Sequence, residues 1–370
     1  MKQRLFSLDV FRGATIAAMI LVNNPGDWSN VYAPLLHADW HGVTPTDLIF
    51  PFFIFIVGVS IALALSKRKE RGDAQGQIVR KILSRTAIIF LIGLALSGFP
   101  YYNLSTIRIP GVLQRIAIVY GISALLFLKF DWKVLSIVAI GCLLGYWGLM
   151  TLVPTPDGYP PNLDAETNLG AWLDRTLLSG HLWSQSKVWD PEGILSTLPA
   201  IATGISGILT GLWIRHEKRV QKMLLTLIGV GVASVLLSLL WDLVFPINKK
   251  IWTSSYVLFS SGMAAILLAI TYWLVDVLQS RWWTKPFIVY GMNALFVFVV
   301  SGIIGKLLYY IKWDNAAGES VTLKSRIYNQ AFVPFFDNPM NASLGFAVAN
   351  VLLLLGLAWL LYWRRIFVKV

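Results

Sequence analysis

The stretch LLHADWHGVTPTD sets His37, Asp39 and His41 two and four residues apart, with Trp40 between the last two. Imidazole titrates near neutral pH, so a histidine here suits a general base or an acyl carrier. A lone histidine at a membrane interface is more often a solvated loop residue, and His37 rises above that background through its neighbours. Trp40 can anchor the loop, and Gly42 permits a tight turn into the segment that follows. As a zinc site the cluster is poor, because no helical HxxxH pattern with a carboxylate completes it. Thr44-Pro45-Thr46-Asp47 reads as a helix start: N-cap threonine, proline at the first position, an acid at the third. That gives Asp47 a structural account of its own.

Further polar residues lie within apolar surroundings. Arg115, beside Gln114 in RIPGVLQRIA, cannot lose its proton and needs an anion or several carbonyls. It either pairs with a carboxylate such as Asp47 or Asp242, or binds a phosphate or carboxylate group. Asp9 and Arg12 sit three residues apart and can neutralise each other. Asp190 and Glu192, in WDPEGIL, can cap the helix that follows or hold a ligand's ammonium group. The single cysteine, Cys142, lies in an apolar run and excludes an internal disulfide and a multi-cysteine metal site.

The elements that must position these groups are helices in a bilayer. Of the 370 residues, 56% are apolar and 14% charged, against about 25% charged in an ordinary globular chain. Water cannot be the main solvent. The net charge of +12 would fit a nucleic-acid partner, but the cations sit in short loops between apolar runs, which excludes that class. A span across the ~30 Å hydrocarbon layer takes ~20 apolar residues. Ten are predicted: 5–23, 45–66, 81–98, 109–128, 133–153, 193–214, 222–245, 252–278, 286–310 and 341–363. The expectation is a polytopic all-α membrane protein, residues 1–370 forming a single domain. The first span is interrupted by Asp9 and Arg12. It is expected to be retained, since Asn23-Asn24-Pro25-Gly26 follows where a cleavage site needs small residues.

Lysine and arginine orient the bundle. Lys2, Arg4, the seven cations from Lys67 to Arg85, Lys129, Lys133, Arg215, Lys218, Arg219, Lys222, Arg281, Lys285, Arg364, Arg365 and Lys369 share one side. The other side carries half as many, in longer loops. The positive-inside rule therefore places both termini in the cytoplasm. The outer loops, 24–44, 99–108, 154–192, 246–251 and 311–340, hold His37, His41 and His181 with many Trp and Tyr residues. No internal repeat is evident, which weakens a transporter built from inverted halves.

At these residues the chain resembles a known family. LDVFRG, the asparagine Asn23 of ILVNN, HADWHGVTPTDLIFPFFIFIVG, RIPGVLQRIAIVYG, WDPEGILSTLPA, INKKIWTSSY, GMNALFVF and YWRRIFVKV are similar, in order, to the catalytic membrane domain of the heparan-α-glucosaminide N-acetyltransferase family. The similarity runs from about residue 5 to the C-terminus; the lysosomal members' luminal domain and leading span have no counterpart in it. The resemblance implies acetyl transfer across a bacterial inner membrane, from cytoplasmic acetyl-CoA to an amino sugar on the periplasmic side. It implies catalytic roles for His37 and Asn23. His41 stands where the lysosomal enzyme has asparagine, so it is not expected to be required. NPGDWSN replaces a glycine-rich run, which points to an altered acceptor pocket. CoA carries several negative charges, and Arg115, Gln114, Arg12, Lys249 and Asn293 are its candidate contacts. Asp190, Glu192, Asp39 and Trp40 are the candidate contacts of the sugar. No metal is expected.

Two other classes compete. A sugar or peptidoglycan-fragment transporter fits ten spans and aromatic outer loops, yet has no need of the motif around His37. A structural membrane protein gains nothing from Arg115 and Gln114 inside a bundle. The acceptor, the choice between a ternary complex and an acetylated His37, and a homodimer through lipid-facing Trp and Leu surfaces all stay open.

Overall fold

A computed structural model describes residues 5–314 and 318–368. Lys2, Arg4 and Lys369 of the cationic side lie outside the described residues. The fold is α-helical: α1 Phe6–Asn23, α2 Ile49–Glu70, α3 Gln75–Gly98, α4 Val112–Lys129, α5 Trp132–Leu152, α6 Leu169–Leu177, α7 Thr197–His216, α8 Val220–Asp242, α9 Ser254–Tyr272, α10 Lys285–Met292, α11 Ala294–Tyr310, α12 Leu323–Ala331 and α13 Pro339–Trp363. Lys312–Asp314 and Ser320–Thr322 pair as a short antiparallel ribbon.

Among the described residues, eight helices are long and apolar enough to cross a membrane, or nine if the bent pair α10–α11 is one span. The protein is therefore a multi-pass membrane protein. Three of the ten predicted spans need adjustment. The third falls in α3, which is not among the eight and carries Arg80, Lys81 and Arg85 in its first half. The sixth starts at Thr197, because residues 190–196 are occupied with turns and ion pairs. The ninth is two helices meeting at an 83° bend. Hydropathy is blind to such a break, since both arms are apolar.

The described residues form two compact units. One gathers the residues up to His37, Thr44–Ile49 and the residues from Thr271 onward; the other gathers Ala38–Val43 and Phe50–Ile270. In the first, α10 lies against the first half of α1. Gly13 and Gly291 permit it: a Cβ would stand 1.8 Å from the Phe287 carbonyl oxygen at Gly13 and 2.3 Å from that of Asp9 at Gly291. The loop after α1 is fastened to the start of α13, where Gly26 N–H donates to the Ser343 carbonyl at 3.1 Å and Tyr32 Oη donates to Asn341 Oδ1 at 2.6 Å. These bonds fix the approach to His37.

In the second unit α3 packs on α4, and α7 packs on both α4 and α5. A cluster of Tyr146, Met150, Phe245 and Ile251 carries Trp40, Leu163 and Leu195 on its flank. Burying aromatic rings of this size is worth ~1.5–3 kcal/mol each, enough to hold an irregular loop in place.

Candidate active site

His37 follows a 3-10 turn at Ala33–Leu35, and the chain re-enters helix through a second 3-10 turn at Pro45–Leu48 that continues into α2. Thr44 and Asp47 form a reciprocal capping box, as the sequence predicts. The same Asp47 does more than cap. Its Oδ1 lies 2.7 Å from His37 Nδ1, while Oδ2 accepts the Thr44 N–H at 3.0 Å. The Thr44 hydroxyl donates to the Leu36 carbonyl at 2.7 Å, tying the residue before His37 to the start of the helix. Asp47 is 1% exposed and the His37 side chain 43%. A buried carboxylate thus holds an accessible imidazole by one nitrogen. An ionised Asp47 pairs with the tautomer that carries N–H at Nδ1, and in that tautomer Nε2 is the nitrogen able to take a proton. Asn23, the other candidate, is the last residue of α1 and exposed.

Arg12 lies within α1 and forms an ion pair with Asp9 at 3.3 Å, the mutual neutralisation expected from their spacing. Asn293 sits at the α10–α11 break, fully buried. Its amide donates to the Ile366 carbonyl at 3.2 Å and accepts the Val368 N–H at 2.9 Å. Rather than facing an open site, it clamps the C-terminal segment.

In the second unit, Asp39 is exposed, and its carbonyl accepts Lys250 Nζ at 2.5 Å. Trp40 donates Nε1–H to the Leu163 carbonyl at 3.0 Å and meets Trp189 edge-to-face at 5.3 Å. Gly42, at φ 98°, makes the expected turn and donates to the Ile247 carbonyl at 2.7 Å. His41 Nδ1 lies 3.3 Å from Asn248 Nδ2. Lys249 is half-buried in the 248–253 turn, its carbonyl accepting the Trp252 N–H.

Asp190 and Glu192 are not open carboxylates waiting for an ammonium. Arg108 donates to both Asp190 oxygens, at 2.8 and 2.6 Å, and to Glu192 Oε2 at 2.5 Å. Burial alone lowers the Arg108 pKa, but its bonds to Asp190 and the two negative charges raise it above the ordinary guanidinium value. Asp174 braces the same loop by accepting N–H groups of Ile194 at 2.9 Å and Asp190 at 3.2 Å. Burial pushes the Asp174 carboxyl up to about 6, against the lowering effect of those bonds.

Arg115 is completely buried in α4 and does not pair with Asp242, one of the carboxylates its position suggested. Its Nη2 donates to the Gly193 carbonyl at 3.0 Å and to Ser196 Oγ at 2.5 Å, and the guanidinium lies 5.1 Å from the Trp252 ring. Nε and Nη1 have no hydrogen-bond partner among the described residues. Gln114, also buried, reaches Ser97 at 3.4 Å on α3.

The Asp47–His37 partnership, Arg108 and Asp174 escape a linear reading. Asp47 lies ten positions after His37, across loop and 3-10 turn, so no helical or strand spacing announces them. Arg108 was discoverable as a cation in the short 99–108 loop, with acidic WDPEG ahead of α7.

Residues 4–167 match the family model described as heparan-alpha-glucosaminide N-acetyltransferase, catalytic. Over the matched stretch, the chain is similar to this family. The human and mouse proteins named heparan-alpha-glucosaminide N-acetyltransferase are each 30% identical to it, over 312 and 311 residues, covering 69% of this chain. The chain spans 46% of the length of these relatives, about half. The stretch matched by the heparan-α-glucosaminide N-acetyltransferase model contains Asn23, His37, Asp47 and Arg115; Asp190, Glu192, Lys249 and Asn293 fall beyond residue 167.

Proposed function

We propose that this chain acts as one transmembrane catalytic domain. It moves an acetyl group from cytoplasmic acetyl-CoA to the amine of a glucosamine-type sugar on the periplasmic side of a bacterial inner membrane. The carrying observation is the 2.7 Å pair of accessible His37 with buried Asp47, inside the stretch that matches the acetyltransferase family.

The chemistry follows from the tautomer. The sugar amine attacks the thioester carbonyl as His37 Nε2 takes the proton the nitrogen must lose. The carbon–sulfur bond then breaks, and the proton passes to the departing CoA thiolate. Asp47 steadies the imidazolium in between, and the Asn23 amide is the proposed donor to the tetrahedral oxyanion. In the covalent variant Nε2 itself attacks, CoA leaves, and acetyl-imidazole passes its acetyl group to the amine. With Asp190 and Glu192 neutralised by Arg108, the proposed part of that outer loop is to shape the sugar site, with Trp40 offering an aromatic face. Arg115 remains a candidate anion contact through its unpartnered nitrogens.

The test is purified protein with acetyl-labelled CoA and a panel of amino sugars. Labelled N-acetyl sugar is the expected product. A burst of free CoA without acceptor marks the covalent route. No transfer, with labelled glucosamine taken up into proteoliposomes, would move the transporter reading to the front.

A further inference from the structure

α3 is a helix of 24 residues whose two halves differ in chemistry. The half from Thr86 to Gly98 carries no charge. At 1.5 Å per residue it is about 20 Å long, too short to cross the ~30 Å hydrocarbon layer. The half before it carries Arg80, Lys81 and Arg85, all exposed. Steps of three and four residues continue this face through Ser84 and Ile88 to Leu91, which is 60% exposed. Ile78, Ile82, Ile89 and Gly93 form the opposite, buried face.

Packing against α4 fixes how deep these cations lie. The two helices run antiparallel: a Cβ on Gly93 would meet the Gln114 and Leu113 side chains, and one on Gly121 would meet Thr86 Oγ1 at 2.7 Å. Arg85, beside Thr86, lays its guanidinium 4.9 Å from the Tyr120 ring. Tyr120 precedes Lys129, the charged end of α4, by nine residues (129 minus 120), about 13 Å along the helix. Depths of about 20 Å from Gly98 and about 13 Å from Lys129 together account for the ~30 Å layer. Arg85 therefore stands well inside the apolar zone, on an exposed face. A charge so placed needs an opposite charge, and this part of the chain supplies none. Among the described residues, Arg80, Lys81 and Arg85 have no carboxylate within ion-pair distance. The nearest acids in sequence are engaged, Glu70 with Arg215 and Asp73 with Arg71 at 3.7 Å.

We infer that this face of α3 binds an anionic phospholipid, its phosphate drawn inward to Arg85 and Lys81 and its acyl chains lying along Ile88 and Leu91. Charge complementarity selects the occupant. An ammonium and a guanidinium four residues apart on a helix lie side by side, and together they match a phosphate diester. Ser84, between them in sequence, adds a hydroxyl donor. The exposed apolar residues one and two turns further on match acyl chains, which a free phosphate lacks. A zwitterionic lipid fits less well, because it brings a positive charge of its own to a cationic face. A second copy of the chain fits less well too, since a two-fold axis through this face would set the same cations against each other. Basic pockets between span ends are a general site for anionic headgroups. The bound phosphate brings the polar boundary to Arg85, so the short apolar half of α3 crosses a locally thinned layer.

The experiment places the full chain in phosphatidylcholine nanodiscs with increasing labelled phosphatidylglycerol. It reads the label retained on the released protein by native mass spectrometry, and the thermal midpoint in parallel. The wild type should retain phosphatidylglycerol in preference to phosphatidylcholine, and its midpoint should rise with the anionic lipid. In K81Q/R85Q, affinity for phosphatidylglycerol should fall at least tenfold and the midpoint should no longer respond. K218Q/R219Q, which removes two exposed cations from the loop before α8, should behave as the wild type. S84W keeps every charge and blocks the face, so it should also lose retention, which keeps the test decisive where K81Q/R85Q does not fold. Equal retention of the two lipids by the wild type would overturn the inference. So would wild-type retention by K81Q/R85Q or by S84W, or an equal loss in K218Q/R219Q. Cysteines at position 88 that join two chains at the expense of the labelled lipid would assign the face to a second copy and overturn it as well.

Discussion

Asparagine in place of Asp47 keeps the shape of the side chain and removes the charge that steadies a protonated His37. If the pair acts in acetyl transfer, kcat should fall by about 10²–10⁴, the usual contribution of a positioned base, while KM for acetyl-CoA changes little. A near-normal kcat in the folded D47N protein would confine Asp47 to its capping box. His37→Ala is expected to abolish transfer and His41→Ala to retain most of it, since His41 is engaged with Asn248 and lies outside the pair. A His41→Ala protein as inactive as His37→Ala would shift the chemistry into the other unit's loop. His37 and the capping role of Asp47 were each legible in the sequence from residue type and position. Their partnership was not, because a loop can place two residues ten apart at any distance. Asn293 shows the opposite failure: its motif was visible, but not that its amide would be used as a surrogate strand.

At the scale of elements, the loop before α7 depends on one cation. Arg108→Ala leaves Asp190, with a fully buried side chain, without its partner, a change that typically costs ~3–5 kcal/mol. A lower thermal midpoint for R108A is expected, only partly restored by R108K because an ammonium lacks the planar fork. Equal midpoints for R108A and wild type would show that Asp190 has another source of compensation. Asp174 adds a pH dependence. Its carboxyl titrates near 6 in the folded protein, above the 3.8 of the unfolded chain. Between those values the folded state keeps a proton that the unfolded state has released, so stability falls as pH rises from about 4 to 6. The interval corresponds to at most about 3 kcal/mol. Thermal midpoints should therefore drop across that window in the wild type and flatten in D174N; parallel curves would contradict the assignment. Most spanning helices were legible because ~20 apolar residues admit few alternatives in a bilayer. The α10–α11 bend was not, since the apolar run continues through Met292-Asn293-Ala294 without a proline or charge to mark it. The late start of α7 was hidden for a related reason: GILS in WDPEGILS is apolar enough to read as helix while its backbone is committed to Arg115 and Asp174.

For the whole molecule, the account depends on sidedness. Cysteines placed at positions 37 and 181 should react with an impermeant reagent added outside intact spheroplasts, and one at 72 should not; the reverse pattern would invert the mechanism. The membrane class was legible from composition alone, and the likeness to the acetyltransferase family from eight short motifs. The division into two compact units was not, because apolar spans look alike whichever neighbour they pack on. The central claim, acetyl transfer through the membrane by His37, is tested most directly in proteoliposomes of oriented protein. Labelled acetyl-CoA is sealed on the side bearing residue 72 and glucosamine is supplied on the side bearing residue 37. Labelled N-acetylglucosamine should accumulate on the glucosamine side with the wild type and not with His37→Ala. Product formed equally by His37→Ala, or only when both substrates share one side, would contradict the account.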